Sequence, residues 1–258
     1  MLSTLNVTFL GTGTSQGVPV IACPCPVCVS GDFRDKRLRS SIMVESEGKR
    51  LVVDTGPDFR QQMLQFNPFG DVDAFIFTHE HKDHIAGFDD VRAYNFNFKK
   101  KVDVYAHQRV WKAFQREFPY IFEEPKYPGV PLLNEYVIGS ESFYIGQIPV
   151  IPIEVMHYKL PVLGFRFGDF VYITDANFIS ESEKEKIKGC KVLVVNALRH
   201  QNHISHFTYE EAKALVREFQ PEMAYFTHIS HQLGLHEEIE NQLPQNIRLA
   251  FDGLRITI

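Results

Sequence analysis

Six short apolar runs, each broken off by a polar residue, limit the fold of this chain more than any other feature. They are RLVVDTG at 50–56, AFIFTHEH at 74–81, VIPIEVMH at 150–157, FVYITDA at 170–176, KVLVVNALRH at 191–200 and EMAYFTHISH at 222–231. Runs of this length, rich in β-branched and aromatic residues, predict strands buried on both faces. Helical stretches alternate with them at 108–118, 180–189 and 208–219. The last starts at Thr208, with Glu210 and Glu211 in its first turn. A hairpin is expected to turn at Glu47-Gly48. The pattern is that of an α/β protein with helices covering its sheets. In such sheets ligands bind at the carboxyl ends of strands, which is where the polar residues gather here.

The chain has 258 residues, 44% of them hydrophobic, enough to bury a substantial core. No Pro/Gly/Ser-rich linker divides it, so residues 1–258 are read as one domain. The net charge is −5, and the one basic run, FKKK at 98–101, reads as solvated surface, which argues against a nucleic-acid partner. The amino-terminal MLSTLNVTFLGTG has neither a basic start nor a long apolar core, so no secretory signal is expected. No stretch approaches the roughly 20 apolar residues of a bilayer span. The expectation is a cytoplasmic protein with no membrane partner. Of four cysteines, Cys23, Cys25 and Cys28 crowd into CPCPVC and Cys190 lies far away. In a reducing compartment such a thiol cluster points to a metal site rather than to disulfides.

The densest chemistry is THEHKDH, which sets His79, His81, Asp83 and His84 within six residues of the end of an apolar strand. Histidines two apart on an extended segment point the same way, and Asp83-His84 lie one turn further on. The arrangement suits two adjacent cations, one for each pair. Imidazole and carboxylate ligands fit zinc, manganese or iron.

This His-x-His-x-Asp-His pattern resembles the signature of the metallo-β-lactamase superfamily, and the resemblance covers nearly the whole chain in the expected order. It implies a four-layer αββα sandwich. It also implies that His79, His81 and His157 hold one divalent metal, that Asp83, His84 and His228 hold the other, and that Asp175 bridges them. Asp54 resembles the family's earlier aspartate, which orients the motif. The GTGTSQGVP opening, CPCPVC and the late THISHQ are similar to PhnP-like cyclic phosphodiesterases of that superfamily. That likeness implies a structural zinc on Cys23, Cys25, Cys28 and His231, in a loop at about residues 20–30. His-Ile-Ser-His thus occurs twice with different duties. In the copy at 203–206 the metals are already ligated, so a histidine is free to act as an acid or to donate to a phosphoryl oxygen. His206 matches the histidine that related phosphodiesterases place over the substrate, with His203 in support. Asp83 joins these two in the catalytic set.

Other motifs carry less. GTGTSQG at 11–17 is one residue too long for a dinucleotide fingerprint and is followed by Pro19, so a turn bringing backbone close to the metals is expected. Asp89, Asp90 and Arg92 read as a solvated helix start, Arg39 as a weak phosphate candidate, and Asp252-Gly253 as a turn near the site. His200 is read as orienting a neighbour or exposed, and His107 and His236 have no partner pattern. The leading expectation is a phosphodiesterase with two manganese or zinc ions, attacking a small cyclic phosphate or nucleotide-like phosphodiester through a metal-bridging hydroxide. A homodimer is left open. The rivals are a tRNase Z-like RNA endonuclease, for which the chain shows no basic arm; a thioester or lactam hydrolase; and a PqqB-like accessory protein without catalysis, which would call for missing metal ligands.

Overall fold

The computed structural model describes residues 4–258; the first three residues of the amino-terminal stretch read above lie outside them. One sheet is built from β1 (Asn6–Gly11), β2 (Ser41–Ser46), β3 (Lys49–Val53), β4 (Ala74–Ile76), β5 (Val102–His107) and β6 (Leu133–Ile138). The second holds β7 (Phe143–Ile145), β8 (Ile148–His157), β9 (Leu160–Phe167), β10 (Phe170–Tyr172), β11 (Phe178–Ile179), β12 (Val192–Asn196), β13 (Met223–Thr227) and β14 (Ile247–Leu249). The chain then returns to the first sheet as β15 (Arg255–Thr257), antiparallel to β1. The orders are β15-β1-β2-β3-β4-β5-β6 and β11-β8-β9-β10-β12-β13-β14, with β7 added on β8. In each sheet an antiparallel part, β1-β2-β3 or β8-β9-β10, continues into a parallel part, β3 to β6 or β10-β12-β13-β14.

Alternation along the strands explains the layering. In β3, Leu51 and Val53 face the second sheet, and in β12 Val192 and Val194 face the first, so together with Phe9, Phe165 and Tyr172 they form the central core. The intervening residues point outward and are buried as well. Val52 packs in a core with Phe59, Met63, Trp111 and Phe114 from the helices Phe59–Phe66 and Gln108–Glu117. Leu193 and Val195 pack with Ala212, Leu215 and Val216 of helix Tyr209–Phe219. Three cores between four layers make the αββα sandwich that the sequence resemblance implies.

The Glu47-Gly48 hairpin has both residues at positive φ, +51° and +70°, as the tight turn matching strand twist requires. Helix Tyr209–Phe219 starts with a capping box in which Thr208 and Glu211 each satisfy the other's backbone N–H. Two expectations need correction. The helix expected over 180–189 is α-helical only at Glu181–Lys184; beyond it, Lys186 and Ile187 donate to carbonyls three residues back, a tighter turn that runs out at Gly189 (φ +70°). β8 is not buried on both faces. It lies beside the short edge strand β11 and exposes Glu154.

Candidate metal centre

The polar residues at the strand ends converge on one edge of the sandwich. Asp54 follows β3, His79 follows β4, His157 ends β8, Asp175 follows β10 and His228 follows β13, while Asp83 and His84 sit on the single turn Lys82–Ile85. Asp54, Asp175 and His228 adopt left-handed backbone, with φ of +65°, +55° and +55°. This conformation costs a non-glycine residue about 1 kcal/mol or more. It turns the chain sharply off each strand and aims the side chain at the shared centre.

The ligand atoms fall into groups. His79, His81 and His157 offer atoms within 4.8 Å of one another, as do Asp83, His84, Asp175 and His228. One oxygen of Asp175, Oδ2, lies 3.1 Å from His84 Nε2 and 3.2 Å from His228 Nδ1. The other, Oδ1, is 3.8 Å from His206 Nδ1 on the side of His157. Asp175 therefore meets the second group with Oδ2 and the neighbourhood of His206 with Oδ1, and it also clusters with His157 of the first group.

Hydrogen bonds around the histidines set which ring nitrogen points inward. His157 Nδ1 donates to the Ser205 carbonyl at 2.9 Å. His84 Nδ1 donates to Asp54 Oδ2 at 2.7 Å. His79 Nδ1 is 3.0 Å from Thr78 Oγ1, which itself donates to Asp54 Oδ2 at 2.8 Å. Asp54 thus orients two histidines and also accepts the Thr78 backbone N–H. Nε2 of His79 is buried with no hydrogen-bond partner, and Nε2 of His84 meets only carboxylate oxygens, Asp175 at 3.1 Å and Asp83 at 3.2 Å, outside hydrogen-bond geometry. A buried polar atom left unpaired costs about 1–3 kcal/mol, and a divalent cation at this point would satisfy both. The residues fit the metal ions that the fold family implies.

Charge tells the same story. Burial drives the His79 pKa well below its usual value. Burial opposes charge on His84 too, but Asp83, Asp175 and Asp54 outweigh it and raise its pKa well above the ordinary range. Desolvation also works against Asp175, yet His228 and His84 hold it ionised, well below the usual carboxylate range. The carboxylates thus favour positive charge at this point, which a divalent cation would supply.

His206 is buried, at 8% exposure, and its Nδ1 has no partner. Its ring centroid lies 4.6 Å from that of His157 and 4.8 Å from that of His228. Burial, then His228, pushes its pKa down to about 3. His203 lies 5.0 Å from His206, ring to ring, and accepts a bond from the Ser205 backbone N–H.

The three thiols meet where the second histidine pair ends. Sγ of Cys23, Cys25 and Cys28 lie 3.4, 3.3 and 3.5 Å from His231 Nδ1. Tetrahedral zinc, with Zn–S of about 2.3 Å and Zn–N of about 2.0–2.1 Å, sets its sulfur and nitrogen ligands about 3.5 Å apart. The cluster therefore has the dimensions of a zinc site. The Cys28 backbone N–H and His231 lower the Cys25 pKa to about 6, whereas burial pushes Cys28 up to about 11. Cys190 is buried elsewhere, in the core behind the second sheet.

The remaining expectations divide. The GTGTSQG turn does approach the centre: Thr14 Oγ1 is 3.2 Å from His228 Nε2. Asp252 sits in a turn accepting from Thr12 Oγ1 and the Leu38 N–H. Arg39 is spent on Asp58 at 3.1 Å, and Arg92 on Asp89 at 3.1 Å. His107 caps the helix after it, and His200 rests on Tyr209. The sequence reading missed Ser40 and Thr174, whose hydroxyls lie 3.2 and 3.4 Å from His228 Nδ1. It also missed Asn196, whose amide clamps both backbone groups of Ala176 just after Asp175. Only the place of Asn196 at the end of an apolar run signalled it.

Fold and site together define a class, the metal-dependent hydrolases with an αββα sandwich and ligands at strand ends. A family profile, the beta-lactamase superfamily domain, matches residues 49–229, and the chain belongs to that superfamily. Within it the chain is PhnP-like. It is 38% identical to a solved structure described as a new diphosphatase from the PhnP family, with a TM-score of 0.93 over 100% of this chain and 98% of that one. An octanoyltransferase of Porphyromonas gingivalis is 38% identical over 257 residues, 98% of this chain and 52% of that protein. The exodeoxyribonuclease YycJ of Bacillus anthracis is 27% identical over 164 residues, 59% of this chain and 56% of that protein. The chain thus spans about half the length of these two relatives. Among the described residues, no helix is long and apolar enough to cross a membrane.

Proposed function

We propose that the two sheets act as one catalytic unit, a phosphodiesterase using two divalent metals on a small cyclic or nucleotide-like phosphodiester. The observation that supports this reading is Asp175, whose Oδ2 meets His84 and His228 and which also clusters with His157, with the unpartnered His206 Nδ1 beside its Oδ1. His79, His81 and His157 would hold one ion, Asp83, His84 and His228 the other, with Asp175 shared. When bound, a pair of such ions lowers the pKa of water and draws charge from phosphoryl oxygens.

The chain's own groups do the rest. Asp54, Thr78 and the Ser205 carbonyl fix the histidine rings, so no reorientation is needed when substrate arrives. His206, buried with its Nδ1 unpartnered, would donate to a phosphoryl oxygen or protonate the leaving alkoxide. His203 supports it from the more open side. The thiol cluster would hold a structural zinc that closes the amino-terminal loop onto the segment after β13.

A second reading, cleavage of nucleic acid, draws support from the likeness to an exodeoxyribonuclease. Thioester hydrolysis draws little, because the octanoyltransferase is twice as long and its name does not say which half acts. Assays with bis(p-nitrophenyl) phosphate, a 2′,3′-cyclic nucleotide, precursor tRNA and a thioester, each with manganese and with zinc, separate the readings. Turnover of the first two is expected, and cleavage of the thioester alone would overturn the proposal. His206→Ala should lower kcat about 100-fold or more with metal content intact by elemental analysis. Because His157, Asp175 and His206 also lie within 4.8 Å of one another, loss of metal in that variant would make His206 a ligand instead.

A further inference from the structure

The hairpin that brings His157 to the centre turns at Tyr158-Lys159, with His157 paired to Leu160 across it. Two-residue hairpin turns favour Asn or Gly where φ is positive, yet Tyr158 stands there at φ +58°. Its side chain is 49% exposed, so the strain is not offset by burial in a core. Strain kept at a site's rim points to use. The Tyr158 N–H donates to Asn177 Oδ1 at 2.8 Å, and Asn177 Nδ2 donates to the Ile204 carbonyl at 3.0 Å. One amide thus ties the turn to the loop that carries His203 and His206.

Between turn and loop opens a cleft of about 440 Å³, with His81 and His157 on its floor and Tyr158, Leu160 and Ile204 on its walls. Ile204 is 64% exposed. Lys159 also lines the cleft, its Nζ 5.2 Å from the Tyr158 ring centroid, which adds a cation to the rim. Two exposed apolar walls with open space between them suit a flat group held by its faces, whereas an alkyl chain gains most when enclosed on all sides.

We infer that this cleft binds a planar aromatic group, of nucleobase or aryl type, carried by the phosphodiester, and that Tyr158 and Ile204 decide which phosphodiester is accepted. Asn177 acts as a positioning residue that holds the two walls apart. The inference rests on the phosphodiester reading above, and its test keeps the two separable.

Two p-nitrophenyl esters share a leaving group and differ in the other substituent: thymidine 5′-(p-nitrophenyl phosphate) and methyl p-nitrophenyl phosphate. Calorimetry with AMP and ribose 5-phosphate makes the same comparison in binding. The metal-loaded wild type should favour the base-bearing member of each pair about tenfold or more, the scale of base stacking on an aromatic ring. Tyr158→Asn removes the ring while suiting the left-handed backbone. It should bring both preferences to within about twofold, mainly through KM, and raise Tm by about 2 °C; Tyr158→Phe should keep the preference. A wild type without preference, a preference that survives Tyr158→Asn, or better turnover of an n-octyl ester would overturn the inference. If neither ester is cleaved but the binding preference appears and depends on Tyr158, the phosphodiester reading falls and the cleft assignment stands.

Discussion

The histidine–aspartate cluster is assembled from the ends of four strands, β4, β8, β10 and β13, and braced by hydrogen bonds with Asp54, Thr78, Ser40, Thr174 and the Ser205 carbonyl. The thiol cluster instead hangs on a loop with a satellite core of Val18, Val27 and Cys28, flanked by Val20 and Leu235. Its sulfurs accept backbone N–H groups from Val20 (to Cys28) and from Cys28 (to Cys25), and otherwise face His231 and one another. Strand ends whose strands are held by three cores can keep carboxylates and imidazoles close together before any ion binds. A loop with four apolar neighbours cannot do so cheaply, since three adjacent thiols gain little until a cation ionises them. On the proposed reading the first cluster would be a preorganised site for metal, and the second a fold element that metal would complete.

The sharpest way to break this contrast is to remove the thiols. Cys25→Ser with Cys28→Ser should cost one zinc per chain, open residues 18–36 to protease and lower Tm by about 10 °C, as loss of roughly 3 kcal/mol would. The metals of the other cluster should stay. A double variant with unchanged Tm and a protected loop would mean that the loop folds without its ion.

The opposite experiment loosens the brace and leaves the ligands alone. Asp54 accepts from His84 and Thr78 in full burial, and Asp54→Asn removes the charge that fixes both rings. Metal affinity at the histidine–aspartate cluster should fall about 10- to 100-fold, measured by competition with a chromogenic chelator, with Tm of the metal-free protein little changed. A large fall in metal-free Tm would show Asp54 to be a structural keystone instead.

How much of this could be read from the sequence follows from the same contrast. Apolar runs ending in His or Asp locate strand ends, and spacing within THEHKDH places four ligands, because both signals are local. Neither says which distant strand ends meet. The meeting of His231 with three cysteines some 200 residues away, and of His157 with His79, was legible only through family resemblance. The left-handed backbone of Asp54, Asp175 and His228 leaves no trace in the sequence, since these residues sit where glycine or asparagine would be expected. The Glu/Lys composition of 180–189 favours helix throughout, but past Lys184 the chain tightens into turns bonded three residues back, which end at Gly189. Tyr158 drew no notice because its exposure and its strain are properties of the fold alone.

The smallest expected effect concerns what holds the thiol loop when no ion does. Arg37 is buried and donates to Thr12 Oγ1 at 2.9 Å, the Ala250 carbonyl at 2.6 Å and His236 Nδ1 at 3.0 Å. The His236 backbone N–H donates to Asp35 Oδ1 at 2.8 Å, which ties the segment next to Leu235 back to the loop. A guanidinium can only donate, so His236 Nδ1 must stay unprotonated. Burial, then Arg37 and Arg34, lowers its pKa to about 4, against the pull of Asp32 and Asp35. A depressed pKa contributes stability that is present above the unfolded value of about 6.5 and is lost as pH falls towards 4, because the unfolded chain then takes a proton the fold refuses. Between pH 7 and 5.5 this group alone should remove about 1 kcal/mol. His236→Gln keeps an acceptor for Arg37 and does not titrate. Urea midpoints should therefore drop less on acidification in the variant than in wild type, by that amount. Equal drops would mean that Arg37 does not hold His236 neutral.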